Sequence, residues 1–96
     1  MARAIVLADD AAWRADIDSL AFRPRGHLGL CVIHRLAFRA LLAGDADPSA
    51  CLGYFVLHRD AFERAASLKA ERKILAPGAN FHLTSRDIRR AGMILA

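Results

Sequence analysis

Apolar and polar positions follow two different periods along this chain, and each change of period marks an element boundary. Ile5-Val6-Leu7, within Arg3 to Ala8, is a short apolar run that predicts a first strand. The segment Asp9 to Asp16 has no settled period. Asp9 either caps a helical turn that delivers Trp13 to the core, or the segment is a loop. From Ile17 to Phe22 the chain alternates, with Leu20 and Phe22 on one face. Leu28 to Ile33 resumes as a strand after Pro24-Arg25-Gly26, a turn sequence, so the two predict a hairpin. Gly29 inside the second run marks a bulge or a close approach of backbone.

The period then becomes helical. Arg35 to Ala43 predicts a short helix with Gly44 as its left-handed stop. Asp47-Pro48 opens the most periodic stretch of the chain, expected as one long helix from Pro48 to Lys73. Cys51, Phe55, Phe62 and Ala66 share its apolar stripe, and Pro77-Gly78 prevents continuation. Phe81 to Thr84 alternates as a final strand. Thr84 and Asp87 have capping-box spacing and open a closing helix expected to stop at Gly92. Strands first and helices later predict an α+β fold: a small antiparallel or mixed sheet of three to four strands packed against two helices, one long, plus a short C-terminal helix. Ninety-six residues suit a single domain spanning 1–96.

Composition changes this picture little. Hydrophobic content of 55% is inflated by alanine, and arginine outnumbers lysine twelve to two, a bias that fits a GC-rich genome as well as any ligand. Charge adds more. Residues 1–50 balance six basic against six acidic side chains, whereas residues 51–96 carry eight against four. The net +4 therefore belongs to the second half. Cys31 and Cys51, twenty residues apart, read as buried thiols of a reducing cytoplasm. The apolar run near the start is too short for a signal-peptide core. No stretch has the length of a membrane span, and no membrane partner is expected.

Chemical motifs are few. His27, Cys31 and His34 are all metal-capable types, but strand geometry places 27 and 31 on one face and 34 on the other, so no metal site and no cofactor is expected. Cys51 lies in the first turn of a helix, where the dipole favours a thiolate, yet on an apolar stripe, where burial opposes one. No catalytic residue is assigned. Arg59, Lys69 and Lys73 fall on or beside the apolar stripe of the long helix. Either their stems cover the core edge while their heads reach water, or they form a basic groove completed by Arg86, Arg89 and Arg90 on the closing helix.

Three segments carry a family likeness: Cys31-Val32-Ile33-His34-Arg35-Leu36-Ala37-Phe38; Tyr54-Phe55-Val56-Leu57-His58-Arg59-Asp60-Ala61-Phe62-Glu63-Arg64-Ala65-Ala66; and Phe81-His82-Leu83-Thr84-Ser85-Arg86-Asp87-Ile88. Together they resemble the bacterial family called domain of unknown function 1488, over about residues 20–90. The resemblance implies a small α+β fold with a curved sheet against two helices, and no activity. His58 and Arg59 correspond to polar positions of that family, with no role attached. The sequence thus predicts a non-enzymatic cytoplasmic interaction module, acting as a homodimer or on a protein partner. The alternative is a nucleic-acid-binding protein that uses its basic second half, with His58, Arg59, Lys69, Lys73, Arg86, Arg89 and Arg90 as binding residues.

Overall fold

A computed structural model describes the backbone of residues 6–8 and 11–95 and the side chains of residues 11–92. The expected first strand is present as β1, Val6–Ala8. Its predicted opening, residues 3–5, and the proposed cap at Asp9 lie outside the described residues. Ala11–Arg14 is strand β2, not a helical turn or loop. It still buries Trp13, because alternation in a strand carries Ala11 and Trp13 to the same face. A one-turn 3-10 segment, Ala15–Ile17, leads to β3, Ser19–Phe22, so Ile17 belongs to the turn. Asp18 closes that turn in the left-handed region, φ 51°, which Asp tolerates better than most residues. Its carbonyl accepts from the Arg35 N–H at 2.9 Å and its carboxylate from Arg35 Nε at 2.8 Å.

β3 and β4, Cys31–His34, pair antiparallel as the predicted hairpin, though β4 begins three residues later than expected. The sheet runs in the order β1-β2-β3-β4-β5, antiparallel except for the last pair, with β5 at Phe81–Leu83. The sheet is therefore mixed, and β2, which was not predicted, takes it to five strands. Register places Trp13, Leu20, Ile33 and Leu83 in one row across the strands, and Ala11, Phe22, Cys31 and Phe81 in a second row on the same face. That face carries the core. The other face holds Ala12, Ser19, Ala21, Val32 and the exposed His82.

Because β4 and β5 are parallel, their connection must cross the sheet, and it does so through three helices. The first is α1, Arg35–Leu42, whose first turn is capped by His34 Nδ1 accepting from the Leu36 N–H at 3.0 Å. Its left-handed stop is Ala43, not Gly44. The predicted long helix is broken into α2, Pro48–Leu57, and α3, Arg59–Lys73, at His58. Asp47 caps α2 as expected, its carboxylate accepting from the Ala50 N–H at 2.8 Å.

The reason for the break is aromatic packing. Two residues seven apart on a straight helix are separated by about 10.5 Å along the axis. Yet the rings of Phe55 and Phe62 meet at 5.1 Å, and those of Tyr54 and Phe62 at 6.1 Å. The bend folds α3 back so that Phe62 also reaches Phe38 at 5.7 Å, while Phe55 reaches Phe22 on the sheet at 5.0 Å. His58 keeps the hydrogen-bond ladder nearly continuous: its N–H donates to Tyr54 and its carbonyl accepts from Ala61 and Phe62.

α4, Ser85–Leu95, runs through Gly92 instead of stopping there. Its capping box forms as the spacing implied. The Thr84 N–H donates to Asp87 Oδ2 at 2.9 Å, and the Asp87 N–H donates to Thr84 Oγ1 at 3.2 Å. Ile88 and Ala91 turn inward, and the helix packs against α3 and α1.

Candidate functional site

Two loops meet at one end of the molecule. The β3–β4 connection, residues 23–30, lies against the α3–β5 connection, residues 74–80. Both the Leu28 and Gly29 N–H groups donate to the Pro77 carbonyl, at 2.7 and 3.3 Å. The Leu30 N–H donates to Asn80 Oδ1 at 2.8 Å, and His27 Nε2 lies 2.6 Å from the Ala79 carbonyl, which makes it the protonated ring nitrogen. The His27 ring meets the Phe81 ring edge-on at 5.1 Å. Gly29 is the close approach that the sequence left open. A Cβ there would collide with the Ala79 carbonyl oxygen and stand 2.7 Å from the Ala79 carbonyl carbon and the Gly78 oxygen.

Between the joined loops and α3 lies a pocket of about 310 Å³. Pro24, Ala66, Ala70, Leu75, Pro77 and Phe81 give it an apolar lining, and Arg25, His27, Ser67 and Glu71 supply polar groups. Arg25 and Ser67 also line an open basin of about 500 Å³ farther along α3, with Asp60, Glu63, Arg64 and Leu68. The two adjoin beside α3 through the shared Arg25 and Ser67. Glu63 fixes the wall of the basin, accepting from the Arg25 backbone N–H at 3.0 Å and from Arg59 Nη2 at 3.2 Å.

Two residues next in sequence to the pocket lining are exposed aliphatics. Leu28, next to His27, is 75% exposed, and Ile74, next to Leu75, is 89% exposed. Ile74 is also the C-terminal cap of α3 at φ 53°. Left-handed backbone costs an L-residue roughly 1–2 kcal/mol, and a β-branched side chain is the least suited to it. The fold thus tolerates a strained backbone in order to place a water-exposed isoleucine. Exposure gives the isoleucine no burial energy to offset that strain.

The residues singled out in the sequence fall elsewhere. His58 is exposed at the α2–α3 bend, its ring 4.4 Å from that of Tyr54. Arg59 lies with its guanidinium 5.2 Å from the Phe55 ring centre and 5.9 Å from that of Phe22, paired with Glu63. Lys69 is 13% exposed and pairs with Asp87 at 3.0 Å. Burial alone would raise the Asp87 carboxyl. The Thr84 N–H, the Lys69 ammonium and the Thr84 hydroxyl overcome that and hold it at about 2. Arg89 reaches across to α1 and donates to the Ala40 carbonyl at 2.8 Å, one of the last carbonyls of that helix. Lys73, Arg86 and Arg90 are exposed and make no hydrogen bond or ion pair among the described residues. Arg59 and Lys69 are thus built into the packing, Arg89 is exposed and spans to α1, and the seven do not converge on one groove. The pocket residues were missed because they come from three segments, and no local motif links them.

Thiols and metal-capable side chains have structural surroundings. Burial pushes the Cys31 thiol far up and that of Cys51 to about 11, so both are protonated at neutral pH. Both are buried and unpaired. His27 and His34 are occupied with the Ala79 carbonyl and the α1 cap, and the described residues hold no group of three or more ligands positioned for a metal. Among the described residues no helix is long and apolar enough to cross a membrane.

α2 has one further property: it contains no charged side chain. Cys51, Leu52 and Phe55 are buried, yet Val56 and Leu57 face solvent at 58% and 77% exposure. Comparison with known proteins adds no template: no protein-family model, no curated protein and no solved structure matches this chain.

Proposed function

We propose that this protein is a non-enzymatic interaction module that binds an extended segment of a protein partner in the groove beside α3. The observation that carries the reading is the partly apolar pocket between the joined loops and α3, with exposed Leu28 and left-handed Ile74 next in sequence to its lining residues. Asp60 to Glu71 spans about 17 Å of helix, enough to run beside about five extended residues. In this reading a partner aliphatic side chain enters the pocket and Leu28 and Ile74 close over it. Arg25 and Arg64 lie along the basin for a partner carboxylate, and Asp60 and Glu71 lie there for a partner cation. Buried unpaired thiols accord with a cytoplasmic setting.

The test is selection of random peptides displayed against the immobilised protein, followed by calorimetry on the enriched sequences. Bound peptides should share one aliphatic anchor. Ile74→Gly should weaken them tenfold or more while stabilising the free protein by about 1 kcal/mol, because glycine relieves the left-handed strain. Enriched peptides that bind Ile74→Gly and Leu28→Ser as tightly as the native protein would remove the groove from consideration.

Self-association belongs to the same proposal, on a different surface. A chain of net +4 meets a second copy with least repulsion along a face free of cations, and α2 is such a face. Val56 and Leu57 would then be covered in the dimer. Light scattering over a concentration series should give a dimer that Leu57→Glu converts to monomer. A native monomer at all concentrations would end this part of the proposal.

A further inference from the structure

We infer that the outer face of α4, with the adjoining edges of α1 and α3, is a binding site for a nucleic-acid phosphodiester backbone. The residues outward on α4 are Arg86, Arg89 and Arg90, with Ile88 and Ala91 turned inward and no acid among the exposed ones. Arg89 anchors the helix over the end of α1, beside exposed Arg39. On the opposite flank α3 ends in Arg72 and Lys73.

The acid of this helix has been withdrawn. Asp87 is only 11% exposed, its carboxylate held by Lys69 and Thr84 with Arg72 at 3.5 Å, so Lys69 and Asp87 cancel each other inside the packing. Arg39 on α1, Arg72 and Lys73 at the end of α3, and Arg86, Arg89 and Arg90 on α4 thus give six cations on α4 and the two helices packed against it, in a chain whose total is +4. The exposed residues described on α4 are basic without an exposed acid among them. That clustering, rather than arginine abundance, is the electrostatic footprint of a polyanion site.

The form of the face favours nucleic acid over other anions. Positions 86, 89 and 90 lie about 1.5–6 Å apart along the helix axis. The planar forks of Arg86 and Arg90 can each pair with phosphate through two N–H donors, while Arg89 gives Nη2 to the Ala40 carbonyl and adds its charge. Interfacial membrane helices need an exposed apolar side, whereas the outward residues described on α4 are arginines. A repeating backbone meets such a face without any sequence requirement, so binding should be nonspecific and strongly salt-dependent.

The experiment uses the whole protein and fluorescence anisotropy of labelled duplex DNA and single-stranded RNA, with phosphatidylserine vesicles as a third arm. Binding to one or both nucleic acids is expected, with a log–log salt slope of about −3 to −5. Arg86→Glu/Arg90→Glu should lose at least tenfold in affinity and flatten the slope by about 2. Arg86→Gln/Arg90→Gln removes charge at similar size and should give a smaller loss in the same direction. It also serves as the reporter should the charge reversal disturb folding. Vesicle binding without nucleic-acid binding, no binding at low salt, a flat salt response, or glutamine variants equal to the native protein would each overturn the inference.

Discussion

Replacing Gly29 by alanine should destabilise this protein by about 3 kcal/mol, near the upper end of overpacking effects. The added methyl would meet backbone atoms of Gly78 and Ala79, not the far end of a flexible side chain, so it cannot be accommodated by a rotamer change. One loop must retreat. Retreat breaks the Leu28 and Gly29 hydrogen bonds to Pro77, and it strains the contact between His27 and the Ala79 carbonyl. For a domain of this size the loss corresponds to a fall in thermal midpoint of about 15 °C. The groove should suffer with the fold, since Pro77 and Phe81 form the pocket's far wall. Urea denaturation of Gly29→Ala measures the effect. A midpoint within experimental error of the native one would mean that the two loops are not held together as described.

Asp87→Ala should cost about 3 kcal/mol for a different reason. The carboxylate closes the capping box of α4 and at the same time receives Lys69 from α3, so one side chain fixes both a helix start and the contact between two helices. Loss of a cap costs about 1 kcal/mol. Stranding an ammonium that is only 13% exposed adds about 2 kcal/mol more. The pH dependence has a definite sign. The folded carboxyl titrates at about 2, below the ordinary value of about 3.9 in an unfolded chain. Its contribution is therefore fully present above about pH 5 and is lost as the pH falls toward 2. The stability gap between native protein and Asp87→Asn should thus be widest at neutral pH and should narrow through the acid range. A gap that stays constant from pH 7 to pH 2.5 would show that the carboxylate charge contributes nothing.

These two residues also differ in how far the sequence revealed them. Thr84 and Asp87 are three apart, and a capping box is a local device, so its spacing alone identified the start of α4. The Lys69 ammonium on the other side of the same carboxylate was not readable, because eighteen residues and a change of chain direction separate the pair. Gly29 was recognised as unusual, but a glycine in a strand-like run does not say which backbone approaches it. The approaching segment lies fifty residues away.

The long helix shows the same division. Asp47-Pro48 and the apolar stripe predicted where helix begins and which side is buried, and both hold in α2 and α3. The break at His58 was not predicted, since no glycine or proline marks it. The only local signal is a change of composition from the charge-free α2 to the charged α3. Arg59 and Lys69 were singled out correctly as cations on an apolar stripe. Whether they face a groove or the core depended on the partners supplied by Glu63 and Asp87.

By itself, then, the chain determined most of its periods, the N-caps of α2 and α4, the turn before β4, the α+β order of elements, the β3–β4 hairpin and which half of the sequence holds the excess charge. These follow from interactions among residues a few positions apart, where spacing fixes geometry. Tertiary structure alone decided the bend at His58, the parallel β5, the two-loop platform that exposes Leu28 and Ile74, and the withdrawal of Asp87 that leaves the α4 face cationic. Each of those depends on which distant surfaces meet. Packing chooses among such meetings by burying aromatic rings and pairing charges, and a linear pattern carries no record of that choice.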